Sequence, residues 1–205
     1  MTLPCAAAPT VLVMGDSLSA GYGIAIEQGW VQLLQQRLRA QGYPHTVVNA
    51  SISGETTAGG LARLPAALDT HKPELVLIEL GANDGLRGLS LDTMQKNLEQ
   101  MMRLSRAAGA RPVLFEMLIP PNYGPTYTEA FKRVYGTLAI ARNEPLVPFF
   151  LWPVALQPEY FQDDGIHPTV AAQPLLLDAV WTALEPYVKN PKAAALHPKP
   201  LPIRK

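Results

Sequence analysis

One stretch of the sequence decides the fold: Val11-Leu12-Val13-Met14-Gly15-Asp16-Ser17-Leu18-Ser19-Ala20-Gly21-Tyr22-Gly23. It opens as a short apolar run and then breaks into a polar turn with glycines on both sides of Ser17. This pattern predicts a buried strand that delivers a hydroxyl group to the edge of a sheet. The alternative interpretation is an ordinary strand-to-helix turn, in which the Ser17 side chain only caps the helix.

Strands and helices are predicted to alternate along the rest of the chain. Apolar runs predict strands at residues 10–14, 46–49, 75–80, 112–117 and 145–150. Helical spacing of apolar residues predicts helices at 28–41, 57–70, 91–105 and 127–143, and a last helix that ends near 188. The alternation predicts one α/β domain at residues 10–188, with a five-stranded parallel sheet and helices on both faces. In such folds the ligand binds at the carboxyl ends of the strands.

The composition narrows the classes of function. Of the 205 residues, 48% are hydrophobic and 17% are charged, which fits a packed core rather than a disordered chain. The 17 Lys and Arg residues balance 17 Asp and Glu residues, so nothing favours nucleic acid or an anionic membrane surface as a partner. No apolar run approaches the length of a membrane span, and we expect no stable membrane insertion.

The two ends of the chain are predicted to lie outside the domain. Residues 1–9 hold small residues like the end of a secretory signal but lack its basic and apolar parts, so we interpret them as a trimmed remnant. Cys5, the only cysteine, lies in this leader and is expected to be incidental. Residues 189–205 mix Pro, Lys and Ala without periodicity, which predicts a disordered tail or an expression scar.

Four polar stretches, around Ser17, Gly54, Asn83 and His167, are predicted to meet at the carboxyl edge of the sheet. A serine hydroxyl becomes a nucleophile only with a base within hydrogen-bond reach. His167 is the one histidine placed at this edge, because the others lie near strand starts or in the tail: His45, His71 and His197. An ordinary surface histidine is the alternative interpretation.

A carboxylate is also available to orient the base. Asp164 stands three residues before His167, and a tight turn can aim it at Nδ1, which leaves Nε2 to face Ser17. Asp163 can substitute for it in principle. We do not assign this role to Asp16, although it precedes the serine, because it is expected to bond local backbone N–H groups and hold the turn.

Three donors can stabilise the oxyanion of an acyl transfer at the same edge. Gly54 and Ser17 offer backbone N–H groups, and Asn83 offers a side-chain amide at the end of the most buried strand. Taken singly, Gly54 also fits a turn glycine and Asn83 an Asx-turn residue. Two loops of this edge carry apolar side chains that are predicted to line an acyl or aryl channel, with ordinary loop packing as the alternative: Leu86, Leu89, Leu118, Ile119 and Tyr123.

A nucleotide-binding module is the alternative from another class, since a parallel sheet with a glycine-bearing first turn can bind phosphates. Residues 15–23 contain neither the G-x-G-x-x-G pattern nor a Walker lysine, which argues against it.

The motifs resemble those of the GDSL, or SGNH, hydrolases. Gly15-Asp16-Ser17-Leu18-Ser19 is similar to their first block, and Gly54, Gly81-Ala82-Asn83-Asp84 and Asp164-Gly165-Ile166-His167-Pro168 are similar to the second, third and fifth. The resemblance implies a flavodoxin-like three-layer α/β/α sandwich, the SGNH hydrolase fold. It implies Ser17 as nucleophile, His167 as base and Asp164 as orienting acid. Ser17, Gly54 and Asn83 would form the oxyanion hole, with no metal or organic cofactor.

One subgroup of that family resembles this sequence in several further segments. Residues 49–54, 60–65, 83–88, 121–124 and 163–168 resemble the bacterial periplasmic TesA-type enzymes, which act as thioesterase, protease, lysophospholipase and arylesterase. The resemblance implies a small-molecule ester or thioester substrate, a periplasmic or secreted location, and a monomer or weak oligomer. A carbohydrate acetylesterase built on the same residues is the runner-up. Ala82 departs from the glycine that related enzymes often carry, and we expect it to affect the loop that holds Asn83.

Overall fold

The computed structural model of the protein describes residues 8–193, which form a five-stranded parallel sheet in the order β2-β1-β3-β4-β5. This is the flavodoxin-like order, and it confirms the predicted fold class. The strands are β1 (Thr10–Gly15), β2 (Thr46–Asn49), β3 (Leu75–Glu79), β4 (Arg111–Phe115) and β5 (Leu146–Val147). The α-helices are α1 (Ser17–Ala20), α2 (Trp30–Ala40), α3 (Thr57–His71), α4 (Ala82–Leu86), α5 (Leu91–Ala107), α6 (Pro125–Arg142) and α7 (Gln173–Lys189).

The sheet is covered by helices on both faces. Helix α2 packs against α7, while α3 packs against α5 and α5 against α6. Residues of β1 and β3 are buried on both sides, as their continuous apolar runs predict. In the register of these two central strands, Gly15 lies opposite Glu79, so both strands end at the same edge. That edge carries the candidate site.

The fifth strand is shorter than predicted. Only Leu146 and Val147 pair with β4, although residues 145–150 were predicted as a strand. Pro148 follows and has no N–H to donate to a ladder, and the Phe149 N–H donates to Oε2 of Glu116 at 3.2 Å instead. The chain therefore leaves the sheet early and forms a long loop over its carboxyl edge.

Two short helices occupy segments predicted as turns and loops, and both begin directly after a central strand. Helix α1 has four residues and α4 has five. Helices this short do not produce a recognisable periodic pattern of apolar residues in the sequence. The Thr56 side chain caps α3, one of the two threonines predicted to do so. Within the described residues, no helix is long and apolar enough to cross a membrane.

The two predicted terminal segments fall largely outside residues 8–193. The leader remnant at 1–9 and the tail at 189–205 therefore stay predictions, as does the domain boundary at 10–188.

Candidate active site

Ser17 lies where β1 ends and α1 begins, at the carboxyl edge of the sheet. The helix cap is Asp16 rather than Ser17, because Oδ1 of Asp16 accepts the Leu18 N–H at 3.0 Å. Gly15 allows the turn to approach β3 closely: a Cβ at this position would lie 2.7 Å from Oε2 of Glu79. The Ser17 hydroxyl is thus free of a capping role, and its backbone is held by its neighbours.

The structure brings Ser17, His167 and Asp164 together. Nε2 of His167 lies 2.8 Å from Oγ of Ser17, and Nδ1 lies 2.6 Å from Oδ2 of Asp164. The other oxygen of Asp164 accepts the N–H groups of Ile166 and His167, both at 2.9 Å. With Nδ1–H donating to Asp164, Nε2 is left to accept the serine proton. Asp164, and not Asp163, makes these contacts.

Hydrogen bonds keep the Asp164 carboxylate ionised. They lower the pKa of Asp164 to about 2, chiefly through the His167 N–H, then through the imidazole and the Ile166 N–H. The side chain is exposed, so burial opposes this shift only weakly. Asp164 therefore carries its charge at any pH above about 2.

The three predicted oxyanion donors lie on segments that other contacts hold in place. Nδ2 of Asn83 donates to Oδ2 of Asp16 at 3.1 Å, which holds the Asn83 amide beside the turn that carries Ser17. Gly54 has a φ of +76°, and Nη2 of Arg87 donates to its carbonyl at 2.9 Å. No acceptor among residues 8–193 takes the backbone N–H of Ser17 or of Gly54. Neither N–H group is therefore taken up by a contact within these residues.

Alanine is accommodated at position 82. It is the first residue of α4, and the positive φ belongs to Gly81, at +115°. A Cβ at Gly81 would lie 2.1 Å from the Tyr135 hydroxyl, so glycine is needed there. Ala82 occupies an ordinary helical position, and the departure from the family pattern does not displace Asn83 from the site.

A buried polar cluster that the sequence did not reveal joins α3 to α4. The Thr57 N–H and hydroxyl donate to the two oxygens of Asp84, at 2.8 and 2.6 Å. Nδ2 of Asn97 donates in turn to the Thr57 hydroxyl at 3.1 Å. Because Asp84 follows Asn83 directly, this cluster ties the helix that carries the amide donor to the segment that follows Gly54.

Two buried carboxyl groups, of Asp16 and Glu79, lie beside the turn that carries Ser17. Burial raises the pKa of Glu79 well above its ordinary value, and the nearby Asp16 carboxyl adds to this. Oε2 of Glu79 accepts the Ser19 hydroxyl at 2.5 Å and the Asp16 N–H at 3.3 Å. Burial also raises the pKa of Asp16 to about 6, against the opposing effect of the Leu18 N–H.

The raised pKa of Asp16 predicts a measurable effect of pH on stability. An unfolded chain loses this proton near pH 3.8, whereas the folded protein keeps it to about pH 6. The folded state therefore binds more protons between these values, and raising the pH through this window destabilises it, by about 3 kcal/mol at most. We expect Asp16→Asn to remove this part of the slope when the free energy of unfolding is measured in urea from pH 4 to pH 7.

Asp163→Asn is the matched control, because this carboxylate is exposed on the loop before the acid. Its stability should follow the wild-type pH dependence. Equal slopes in wild type and Asp16→Asn would contradict a protonated Asp16.

A cavity of about 470 Å³ opens beside Ser17 and His167. Three of the five predicted channel residues line it: Leu86, Leu118 and Ile119. Most of the remaining wall is apolar and comes from the segment after β4 and the loop after β5: Met117, Pro120, Pro121, Phe149, Leu151, Ala155, Phe161 and Ile166. The arrangement can hold an apolar group next to a serine hydroxyl.

The structure does not place Leu89 and Tyr123 among the residues that line this cavity. Leu89 follows the end of α4, where its N–H donates to the Asp84 carbonyl, and its side chain is 44% exposed. The Tyr123 hydroxyl donates to the Leu86 carbonyl at 2.9 Å and so links the two predicted loops from outside.

The part of the wall formed by Phe149, Leu151, Ala155 and Phe161 was missing from the residues predicted from the sequence. A signal was present, since these residues follow the last strand at the same edge as the other site residues. The apolar run Phe149-Phe150-Leu151 was interpreted as strand and loop, and no polar motif marked it.

Metal ligation has no candidate in the part of the chain that the structure describes. There, no group of three or more His, Cys, Asp or Glu side chains is arranged to hold an ion.

The chain is similar to known proteins in sequence and in structure. Esterase TesA of Pseudomonas aeruginosa is 57% identical over 181 residues, which cover 88% of this chain and 90% of that protein. Thioesterase 1/protease 1/lysophospholipase L1 of Escherichia coli is 46% identical over 190 residues, covering 93% and 90%. The crystal structure of the psychrotrophic esterase EstA from Pseudoalteromonas matches with a TM-score of 0.85 and 44% identity, covering 88% of this chain and 99% of that one.

The sequence model of one family matches most of the chain. It is described as the GDSL-like Lipase/Acylhydrolase family, and it aligns with residues 13–174, a range that contains Ser17, Gly54, Asn83, Asp164 and His167. The resemblance predicted from the motifs is therefore confirmed, and the chain belongs to the GDSL-like lipase/acylhydrolase family.

Proposed function

We propose that this protein is a serine hydrolase that cleaves carboxylic esters and thioesters through an acyl-enzyme. One observation carries the proposal: Oγ of Ser17 is 2.8 Å from Nε2 of His167, at the wall of an apolar cavity. A hydroxyl, a base and an orienting carboxylate in this order form the arrangement that activates a serine.

The first half-reaction transfers the acyl group to the enzyme. Oγ of Ser17 attacks the carbonyl carbon while His167 takes the hydroxyl proton on Nε2. The carbonyl oxygen becomes an oxyanion, which accepts hydrogen bonds from the N–H groups of Ser17 and Gly54 and from the Asn83 amide. The tetrahedral intermediate then collapses, the bond to the leaving oxygen or sulfur breaks, and His167 returns its proton to that atom.

The second half-reaction releases the acid. A water molecule gives a proton to His167 as its oxygen attacks the acyl carbon, and the same three donors stabilise the second oxyanion. Collapse breaks the bond to Oγ, which recovers the proton from His167. Asp164 stays ionised throughout and stabilises the imidazolium that forms in both halves.

The substrate class follows from the apolar cavity and from the relatives. An aliphatic or aromatic acyl group gains about 0.8 kcal/mol for each CH₂ that it buries there. The relatives carry the names esterase, thioesterase and lysophospholipase. We therefore propose acyl-CoA, lysophospholipids, aryl esters and short-to-medium-chain esters as substrates. A periplasmic or secreted location and a monomeric or weakly oligomeric state belong to the same proposal.

A substrate panel tests this function. Purified protein should hydrolyse p-nitrophenyl butyrate, phenyl acetate and octanoyl-CoA, and kcat/KM for acetylated xylan should be far lower, since a sugar needs polar partners that the cavity wall does not offer. Preference for acetylated xylan would favour the carbohydrate acetylesterase. Nucleotide binding without any esterase activity would overturn the proposed function.

Ile119 is expected to set the preference for acyl chain length, because it lines the cavity and is only 8% exposed. Ile119→Asp places a carboxylate where the acyl chain would lie. We expect kcat/KM for p-nitrophenyl octanoate relative to the acetate to fall about 10-fold, which corresponds to losing the burial of about two CH₂ groups.

Leu89→Asp provides the control, because it introduces the same charge on the neighbouring loop outside the cavity. It should leave the ratio unchanged, and melting temperatures of both variants check that they are folded. An unchanged ratio in folded Ile119→Asp would remove this residue from the acyl site.

A further inference from the structure

A glutamine outside the triad joins the segment that carries the nucleophile to the segment that carries the base. Nε2 of Gln162 donates to the Tyr22 carbonyl at 2.8 Å and to the Pro168 carbonyl at 3.1 Å, so both of its hydrogens are used. Its main chain also closes the loop around His167: the Gln162 N–H donates to the His167 carbonyl, and the Gly165 N–H donates to the Gln162 carbonyl, both at 2.8 Å.

Tyr22 carries this connection onward to the nucleophile. The Tyr22 N–H donates to the Ser17 carbonyl at 3.1 Å. Its ring lies against the imidazole of His167, with centroids 4.4 Å apart and planes inclined by 39°. A continuous series of hydrogen bonds thus runs from the main chain of Ser17 through Gln162 to the main chain of His167. It does not pass through the reacting atoms.

The backbone near Tyr22 is shaped for this side chain. Gly23 has a φ of +76°, and a Cβ at this position would lie 2.0 Å from Oε1 of Gln162. The amide therefore rests directly on the main chain of Gly23, in space that any other residue would fill. Neither Gln162 nor Tyr22 lines the cavity beside Ser17.

We propose that Gln162 is a positioning residue, whose amide N–H groups set the separation of Ser17 Oγ and His167 Nε2. The proposal rests on the proposed function, in which these two atoms exchange a proton. A displacement of about 1 Å between reacting groups can lower the rate by about 10²-fold. Because Gln162 lies outside the cavity, its loss should lower kcat and leave KM nearly unchanged.

Two substitutions test the N–H groups specifically. Gln162→Met keeps the length of the side chain and removes both donors, and we expect kcat for p-nitrophenyl butyrate to fall about 10- to 100-fold, with KM within about twofold of wild type. Gln162→Glu keeps the shape but at pH 8 turns a carboxylate toward two carbonyl oxygens, so kcat should fall at least as far. When protonated, this glutamic acid regains one donor, and its kcat relative to wild type should rise several-fold as the pH is lowered to 5.

Gln157→Met is the matched control, since Gln157 lies on the preceding loop and, within residues 8–193, its side chain bonds only the Pro153 carbonyl. It should retain wild-type kcat. If Gln162→Met fails to fold, the comparison of kcat between Gln162→Glu and wild type at pH 5 and pH 8 is sufficient to test the positioning role. Wild-type kcat in the Gln162 variants, or a loss in Gln162→Glu that is the same at pH 5 and pH 8, would overturn the positioning role.

Labelling of Ser17 by a phosphonate separates failure of this proposal from failure of the proposed function. If wild type is labelled and active while the Gln162 variants keep full kcat, only the positioning role is wrong. If wild-type Ser17 is not labelled, the serine mechanism itself is wrong.

Discussion

Replacing Ser17 with alanine is expected to lower kcat for p-nitrophenyl esters by about 10⁴-fold or more. The variant lacks the only hydroxyl that lies within hydrogen-bond distance of His167 among the described residues, and no acyl-enzyme can form. Residual turnover would come from water held near the oxyanion donors. The fold should persist, because the helix cap at this turn is the Asp16 side chain. Steady-state kinetics and a thermal melt of the same sample measure both effects.

Ser53→Ala serves as the control for this experiment. Ser53 is exposed on the loop that carries Gly54, at the same edge of the sheet. Its loss should change kcat by less than about twofold, as surface substitutions usually do. Turnover in Ser17→Ala within tenfold of wild type would exclude Ser17 as the nucleophile.

Asp164→Asn should lower kcat by about 10⁴-fold, although it is nearly isosteric. One oxygen of Asp164 accepts two backbone N–H groups, so the asparagine oxygen would take that place and its NH₂ would face Nδ1 of His167. Nδ1 must then accept, which moves the imidazole proton to Nε2. In this tautomer Nε2 donates to the Ser17 hydroxyl and cannot take its proton.

Asp163→Asn controls for the loss of a charge in the same loop and is expected to keep wild-type kcat. The low pKa of Asp164 also bears on the pH dependence of activity, since this carboxylate stays charged down to about pH 2. Loss of wild-type activity between pH 7 and pH 4 therefore cannot come from Asp164. If Asp164→Asn retained activity and Asp163→Asn lost it, the assignment of the acid would be reversed.

Much of the fold could be predicted because its central strands are buried on both faces. The apolar runs in β1 and β3 are continuous, and the segments between them have the spacing of helices. These two patterns together are typical of a parallel sheet covered by helices on both sides. The fifth strand is shorter than predicted. The aromatic residues Phe149 and Phe150 are typical of a strand, but Pro148 ends the hydrogen-bonded ladder before them. Helices α1 and α4 span too few residues to produce a period, and their starts depend on Asp16 and on the backbone of Gly81.

The candidate site likewise has parts that could be predicted from the sequence and parts that could not. Ser17 follows β1 directly, and Asp164 and His167 lie in a short motif before the last helix, so their place at one edge of the sheet could be predicted. The cavity wall at Phe149, Leu151 and Phe161 depends on the path of a long loop, which no local pattern fixes. The contacts of Glu79, Thr57 and Gln162 join segments that are 27 to 140 residues apart in the chain. Such contacts follow from the packed structure and leave no spacing signal in the sequence.

Mass spectrometry after phosphonate treatment tests most directly whether Ser17 forms a covalent intermediate. The related esterase EstA from Pseudoalteromonas is described as inhibited by monoethylphosphonate. We expect a p-nitrophenyl ethylphosphonate to release one p-nitrophenol per chain, to abolish esterase activity in proportion, and to leave one phosphonyl group on the peptide that contains Ser17. Inactivation without an adduct, or with the adduct on another residue, would contradict the mechanism.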